Sequence, residues 1–153
     1  MNTFIRVTSI FLILSALSTG LKAQEGLHIG TIFQKYGKQK GVTMVELNKS
    51  MLESYQITLY KSLVFKEVTD YLPEILKTLE QDKKGGSVKK MQEVTEDGNI
   101  ISAYYQLTSV KRGKDQIKRY ILFKTGNKEK ATLVYIEGLL DSDDLVTLLF
   151  MKN

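Results

Sequence analysis

Apolar residues recur along this chain in two rhythms, one near the helical period and one of period two. From Ile29 to Lys38, the residues Ile29, Ile32, Phe33 and Tyr36 fall on one helical face, with Gly37 and Gly41 flanking its end. Val42 to Leu47 reads as a short strand, and Asn48 as the cap of a short helix through Met51, Leu52 and Tyr55. Ile57 to Glu67 reads as extended, with Ile57, Leu59, Leu63 and Phe65 alternating against Thr58, Tyr60, Ser62 and Lys66. A stronger helix is expected from Thr69 or Asp70. Pro73 sits in its first turn, where a missing N–H costs little, and Leu72, Ile75, Leu76 and Leu79 form its stripe. Gly85 and Gly86 end it.

Beyond that point period two takes over. Strands are predicted at Val88–Thr95, Ile100–Val110, Gln116–Thr125 and Ala131–Glu137. The turn Glu96-Asp97-Gly98-Asn99 joins the first pair, and Asp-Gly favours a tight hairpin. Turns at Lys111–Asp115 and Gly126–Lys130 join the others. The expected fold class is α+β: a four-stranded antiparallel meander with helices packed on it, preceded by a helix and strand segment. Ile101, Ala103, Tyr105 and Leu107 would share one face with Ile121, Phe123, Leu133 and Tyr135. Alternation puts Tyr104, Tyr120, Leu122, Val134 and Ile136 on the other, so that face needs a cover, either the N-terminal helices or a partner. A final short helix is expected after Asp141, with Leu145, Leu148 and Leu149 facing inward.

The first 23 residues read as an address. Arg6 precedes an apolar run from Val7 to Leu17, too short and serine-rich to span a bilayer comfortably, and Ala23 suits the position before cleavage. No cysteine follows it, so lipoprotein acylation has no thiol. Export to the periplasm or medium is therefore expected, as one domain from Gln24 to Asn153. The retained chain would have 130 residues, and losing Arg6 and Lys22 would lower its net charge from +5 to +3. That length suffices for a core without disulfides.

Composition removes several chemistries. The chain holds no Cys, no Trp and one His. That excludes a cysteine nucleophile, a thiolate zinc site and a multi-histidine metal centre. No phosphate-cradling glycine loop and no Gly-x-Ser-x-Gly elbow occur. His28 reads as part of a terminal tail. The acidic run Glu137–Asp144 lacks the ligand order of a calcium loop, and Asp141 or Ser142 reads as a helix cap. Glu67 with Asp70, and Glu93 with Glu96, are carboxylate pairs in sequence only. No catalytic residue, metal or cofactor is expected.

Two surfaces remain. Lys83, Lys84, Lys89 and Lys90 surround the entry to the first meander strand, and Lys111, Arg112, Lys114, Lys118 and Arg119 surround its second turn. An up-and-down meander brings both groups to one end as a basic rim suited to anionic glycan or lipid. Charged hairpin tips also serve to blunt strand edges. The second surface is a partner face at Tyr104, Tyr120 and Leu122, available to an envelope protein or a second copy. Export argues against nucleic acid as partner.

The segments Phe33-Gln34-Lys35-Tyr36-Gly37, Gly41–Leu47, Lys49-Ser50-Met51-Leu52 and Lys130–Gly138 carry a resemblance across most of the chain. In layout it resembles small exported domains of unknown function from Gram-negative, gut-commensal-type bacteria. The resemblance implies an envelope location and a link to stress or surface regulation, and supplies no active residues. The expected function is a non-catalytic binding domain. The alternatives are a small periplasmic hydrolase using carboxylates and tyrosine, around Glu137, Asp141 and Asp144, or a regulator docking on a membrane sensor.

Overall fold

The structure, a computed structural model, describes residues 26–48, 52–126 and 129–150. The expected leader at 1–23 lies outside them, as do residues 49–51 of the expected short helix and the side chains of Leu148 and Leu149. Helix α1 (Gly30–Tyr36) leads into β1 (Val42–Asn48), a 3-10 turn (Glu53–Tyr55) and β2 (Ile57–Phe65). Helix α2 (Leu72–Lys84) follows, then β3 (Val88–Glu96), β4 (Asn99–Leu107), β5 (Val110–Arg112), β6 (Asp115–Thr125), β7 (Ala131–Gly138) and α3 (Ser142–Phe150).

The sheet has seven strands where four were expected. Its order is β1-β2-β7-β6-β4-β3, with β5 paired to β6. All its ladders are antiparallel. The meander is present, but β7 is not its edge. Leu133 and Tyr135 are buried on one face and Ile136 on the other, as in a strand covered on both faces. β2 pairs with its second edge, Phe65 with Ala131 and Tyr60 with Ile136. This pairing joins segments far apart in sequence, which local periodicity does not report.

On one face, α1 and α2 pack Ile29, Ile32, Phe33, Ile75 and Leu79 against Leu63, Phe65, Ala103, Tyr105, Leu107, Ile121, Phe123, Leu133 and Tyr135. The expected residues share this face except Ile101. Val94 pairs with Ser102 and Thr95 with Ile100, so Ile101 is the extra residue of a bulge and Ile100 reaches the core instead. A register shift between Ile57 and Leu59 likewise separates Ile57 from its expected companions and places it in the cluster on the other face. The expected strand Ile100–Val110 is broken at Thr108. Its N–H bonds to the Ser87 carbonyl (2.8 Å) and its carbonyl accepts from Arg119 Nε (3.0 Å), which ends the ladder.

The other face is covered in part, by the C-terminal helix and not by the N-terminal ones. Leu145 of α3, with Leu140, Leu52 and Ile57, encloses Tyr120 and Ile136, with Tyr60, Tyr104, Leu122 and Val134 partly buried around them. The β3–β4 hairpin turns through Asp97 and Gly98, both at positive φ (50° and 78°), as a two-residue turn of this hand requires.

Candidate interaction surface

The topology brings the C-terminus of α2, the start of β3, the end of β4 and the β5–β6 hairpin to one end of the sheet. The nine basic residues expected there do not act alike. Lys84, Lys89, Lys90, Lys111 and Lys114 are exposed and Lys118 is half-buried. Lys83 instead ties elements together, reaching Glu80 (2.7 Å) and Glu93 (2.9 Å). Those bonds, Glu80's first, hold its ammonium above the ordinary lysine range.

Arg112 and Arg119 face inward and leave the rim. Arg112 forms a two-pronged pair with Glu137, at 2.6 and 2.9 Å, and Glu137 is 1% exposed. The Tyr135 hydroxyl donates to the same carboxylate at 2.6 Å. Arg119, 3% exposed, is the cross-strand partner of Glu137. Sequence reasoning missed this cluster, although alternation carried the signal. Arg119 continues the Ile121 and Phe123 side, and Glu137 continues the Leu133 and Tyr135 side. A buried carboxylate must be paired, and these neighbours pair it. Burial, then Glu137, pushes the Tyr135 hydroxyl well above the usual phenol range.

The acidic residues near the C-terminus do not converge on Glu137. Asp141 caps α3, accepting from the Asp144 N–H at 2.9 Å, and α3 lies on the face opposite Glu137. This removes the expected carboxylate set of a hydrolase at Glu137, Asp141 and Asp144. Glu93 receives the Tyr105 hydroxyl (2.6 Å) and Lys83, and is separated in role from exposed Glu96. Glu67 and Asp70 line a shallow cavity of about 270 Å³ with Lys40, Lys66 and Tyr71, and both are exposed. Among the described residues no group of three His, Cys, Asp or Glu is placed to hold a metal ion.

His28 is not a loose tail. Its backbone N–H donates to Asp82 Oδ1 at 2.6 Å, its ring Nδ1 lies 3.0 Å from that oxygen, and the Ile29 N–H donates to Oδ2 at 3.0 Å. Asp82, 1% exposed, thus joins α2 to the start of α1. It extends the buried stripe of Ile75, Thr78 and Leu79, a position where a charged residue signals a partner.

The predicted partner face is half covered. Tyr120 is fully buried, donating to the Leu140 carbonyl at 2.9 Å, with its hydroxyl pushed up to about 12 by burial and then by Tyr104. Tyr104 stacks on it at 6.2 Å between centroids and bonds Ser142 Oγ at 2.8 Å. Tyr120 is therefore not available to a partner. Beyond α3, register aligns Tyr104, Leu122, Val134, Ser62 and Val45 in one row across the sheet. Leu122 and Val134 are partly exposed, Val45 is 39% exposed, and Val64 in the next row is 40% exposed. A groove of about 350 Å³ runs here along the β6–β7 hairpin, floored by Leu122, Thr132 and Val134 and bordered by Lys124 and Lys130.

Among the described residues no helix is long and apolar enough to cross a membrane. No curated protein matches the chain in sequence. A solved structure of a Pseudomonas aeruginosa protein of unknown function, described as a candidate regulator, aligns with 72% of this chain and 75% of its own. The identity is 8% and the TM-score 0.36, a likeness too loose to argue from. The profile of a family of unknown function matches residues 16–149, nearly the whole described fold. The chain belongs to that family of unknown function, DUF6108.

Proposed function

We propose that the protein is an exported, non-catalytic interaction domain that binds an apolar segment of a partner protein along the open half of its second sheet face. The observation that carries this reading is the neighbouring pair Leu122 and Val134, which α3 leaves partly exposed beside a groove bordered by Lys124 and Lys130. Contiguous apolar surface on a sheet face is a mark of a contact site. The inward carboxylates support the same reading, since Asp82, Glu93 and Glu137 each join elements of the fold. Export rests on the leader-like first 23 residues. Intact mass of the product recovered outside the cytoplasm is expected to correspond to Gln24–Asn153.

The binding test compares the wild type with Leu122→Glu and Val134→Glu in capture from envelope extract at low and high salt. A protein retained at high salt by the wild type and lost in both folded variants is the expected result. Retention unaffected by either substitution rejects the surface. A second reading, contact of the lysine-rich end with anionic glycan or lipid, draws on the exposed Lys84, Lys89, Lys90, Lys111 and Lys114. It predicts retention at low salt only, abolished by Lys111→Glu with Lys114→Glu.

A further inference from the structure

The two edges of the sheet are built differently. β3 carries Lys89, Lys90, Glu93 and Glu96 and two register shifts, the usual means of refusing another strand. β1 runs seven residues in unbroken register with β2, and its only charge is Glu46. The Lys66 N–H donates to the Gly41 carbonyl at 3.1 Å, so Gly41, Thr43, Val45 and Leu47 bond toward β2. Met44 and Glu46 therefore turn their backbone N–H and C=O groups away from the sheet. Met44 and Val45 are each 39% exposed, one toward each face.

We propose that β1 pairs antiparallel with β1 of a second copy, about a two-fold axis through Val45. An antiparallel strand edge is self-complementary, as an isologous dimer requires. In this register Met44 bonds with Glu46 of the second copy, and Glu46 with its Met44. All seven residues are used, and the one acidic residue of each strand meets an apolar residue rather than its own kind. Each Glu46 keeps its own Lys61, at 4.0 Å, as a counter-charge beside the axis. Val45 faces Val45, a contact between apolar residues, and the two six-strand paths become one continuous sheet. The proposal goes beyond the partner surface above and does not depend on it.

The absence of native cysteine makes the test direct. Directly opposed residues of a pair without mutual hydrogen bonds have Cα atoms about 4.5 Å apart, within disulfide reach. Val45→Cys is therefore expected to give a disulfide-linked dimer under mild oxidation. Thr43→Cys is not, because its counterpart lies about 13 Å along the strand. Thr43→Cys mixed with Leu47→Cys is expected to cross-link, since those positions oppose each other. Sedimentation is expected to show a concentration-dependent dimer. Val45→Lys and Val45→Glu should each abolish it, and mixing the two should restore it. Cross-linking of Val45→Cys no faster than Thr43→Cys overturns the pairing. So does a dimer that persists in Val45→Lys, or a monomer at every concentration. If the charged variants fail to fold, the cysteine comparison alone decides.

Discussion

Asp82 joins the start of α1 to α2 through one buried carboxylate. It accepts from two backbone N–H groups and contacts the His28 ring while 1% exposed. Removing it orphans buried donors, which costs more than an ordinary hydrogen bond contributes. Asp82→Ala is expected to destabilise the fold by about 2 kcal/mol, read from the urea midpoint, while His28→Ala should cost less. Glu93 gives a pH signature. The Tyr105 hydroxyl first, then Lys83, holds its carboxyl below the usual range. A depressed folded value stabilises the fold above the unfolded value, near about pH 4.3, and the gain is lost as pH falls through the folded value. Glu93→Gln is expected to be less stable at neutral pH, and to lose less on acidification below about pH 4.3, in urea titrations at several pH values. Both Asp82 and Glu137 occupy positions that helical or alternating period assigns to the core. Charge alone suggests the surface, and only the period, followed through regardless of residue type, reveals these two buried carboxylates.

At the scale of elements, local rules served where the pattern was local. The stripe of α2, the Asp97-Gly98 turn and the Asp141 cap all appear where the chain's chemistry puts them. Bulges were the failure, because each displaces one residue by a rule that alternation does not contain. The junction of β7 with β2 depends on a close approach. A Cβ at Gly138 would collide with the Gln56 carbonyl oxygen and sit 2.9 Å from Leu140 Cδ2. Backbone at that position cannot give way as a side chain can. Gly138→Ala is expected to cost roughly 1–3 kcal/mol of stability. It should also loosen the Tyr104–Tyr120 stack beneath α3, read as a change in near-ultraviolet circular dichroism. Leu145→Ala, which empties a fully buried site in the same layer, is expected to cost about 2–4 kcal/mol by urea unfolding.

For the molecule as a whole, the α+β layering was legible but the width of the sheet was not. Four strands follow one another through tight turns, and that succession can be read in order. β1 and β2 were visible as strands, yet nothing nearby in sequence names β7 as the neighbour of β2. The candidate surface was legible in part for the same reason. Alternation singled out Tyr104, Tyr120 and Leu122 as a second apolar face, and three-dimensional closure decided that α3 takes Tyr120 and leaves Leu122 at the margin.

The place of β7 between β2 and β6 also sets the timetable of folding. A chain made from N- to C-terminus forms β2 early and must add α2 and β3 to β6 before that strand finds its inner neighbour, β7. Until then, one inner edge of β2 and one of β6 stay open, and the layer beneath α3 has no floor at Ile136. Such long-range closure gives a high contact order and folding in roughly milliseconds to seconds rather than microseconds. At about 5–20 residues per second of synthesis, the sheet stays incomplete until β7 is made. A nascent chain of this topology keeps its sheet open until β7 arrives to close it.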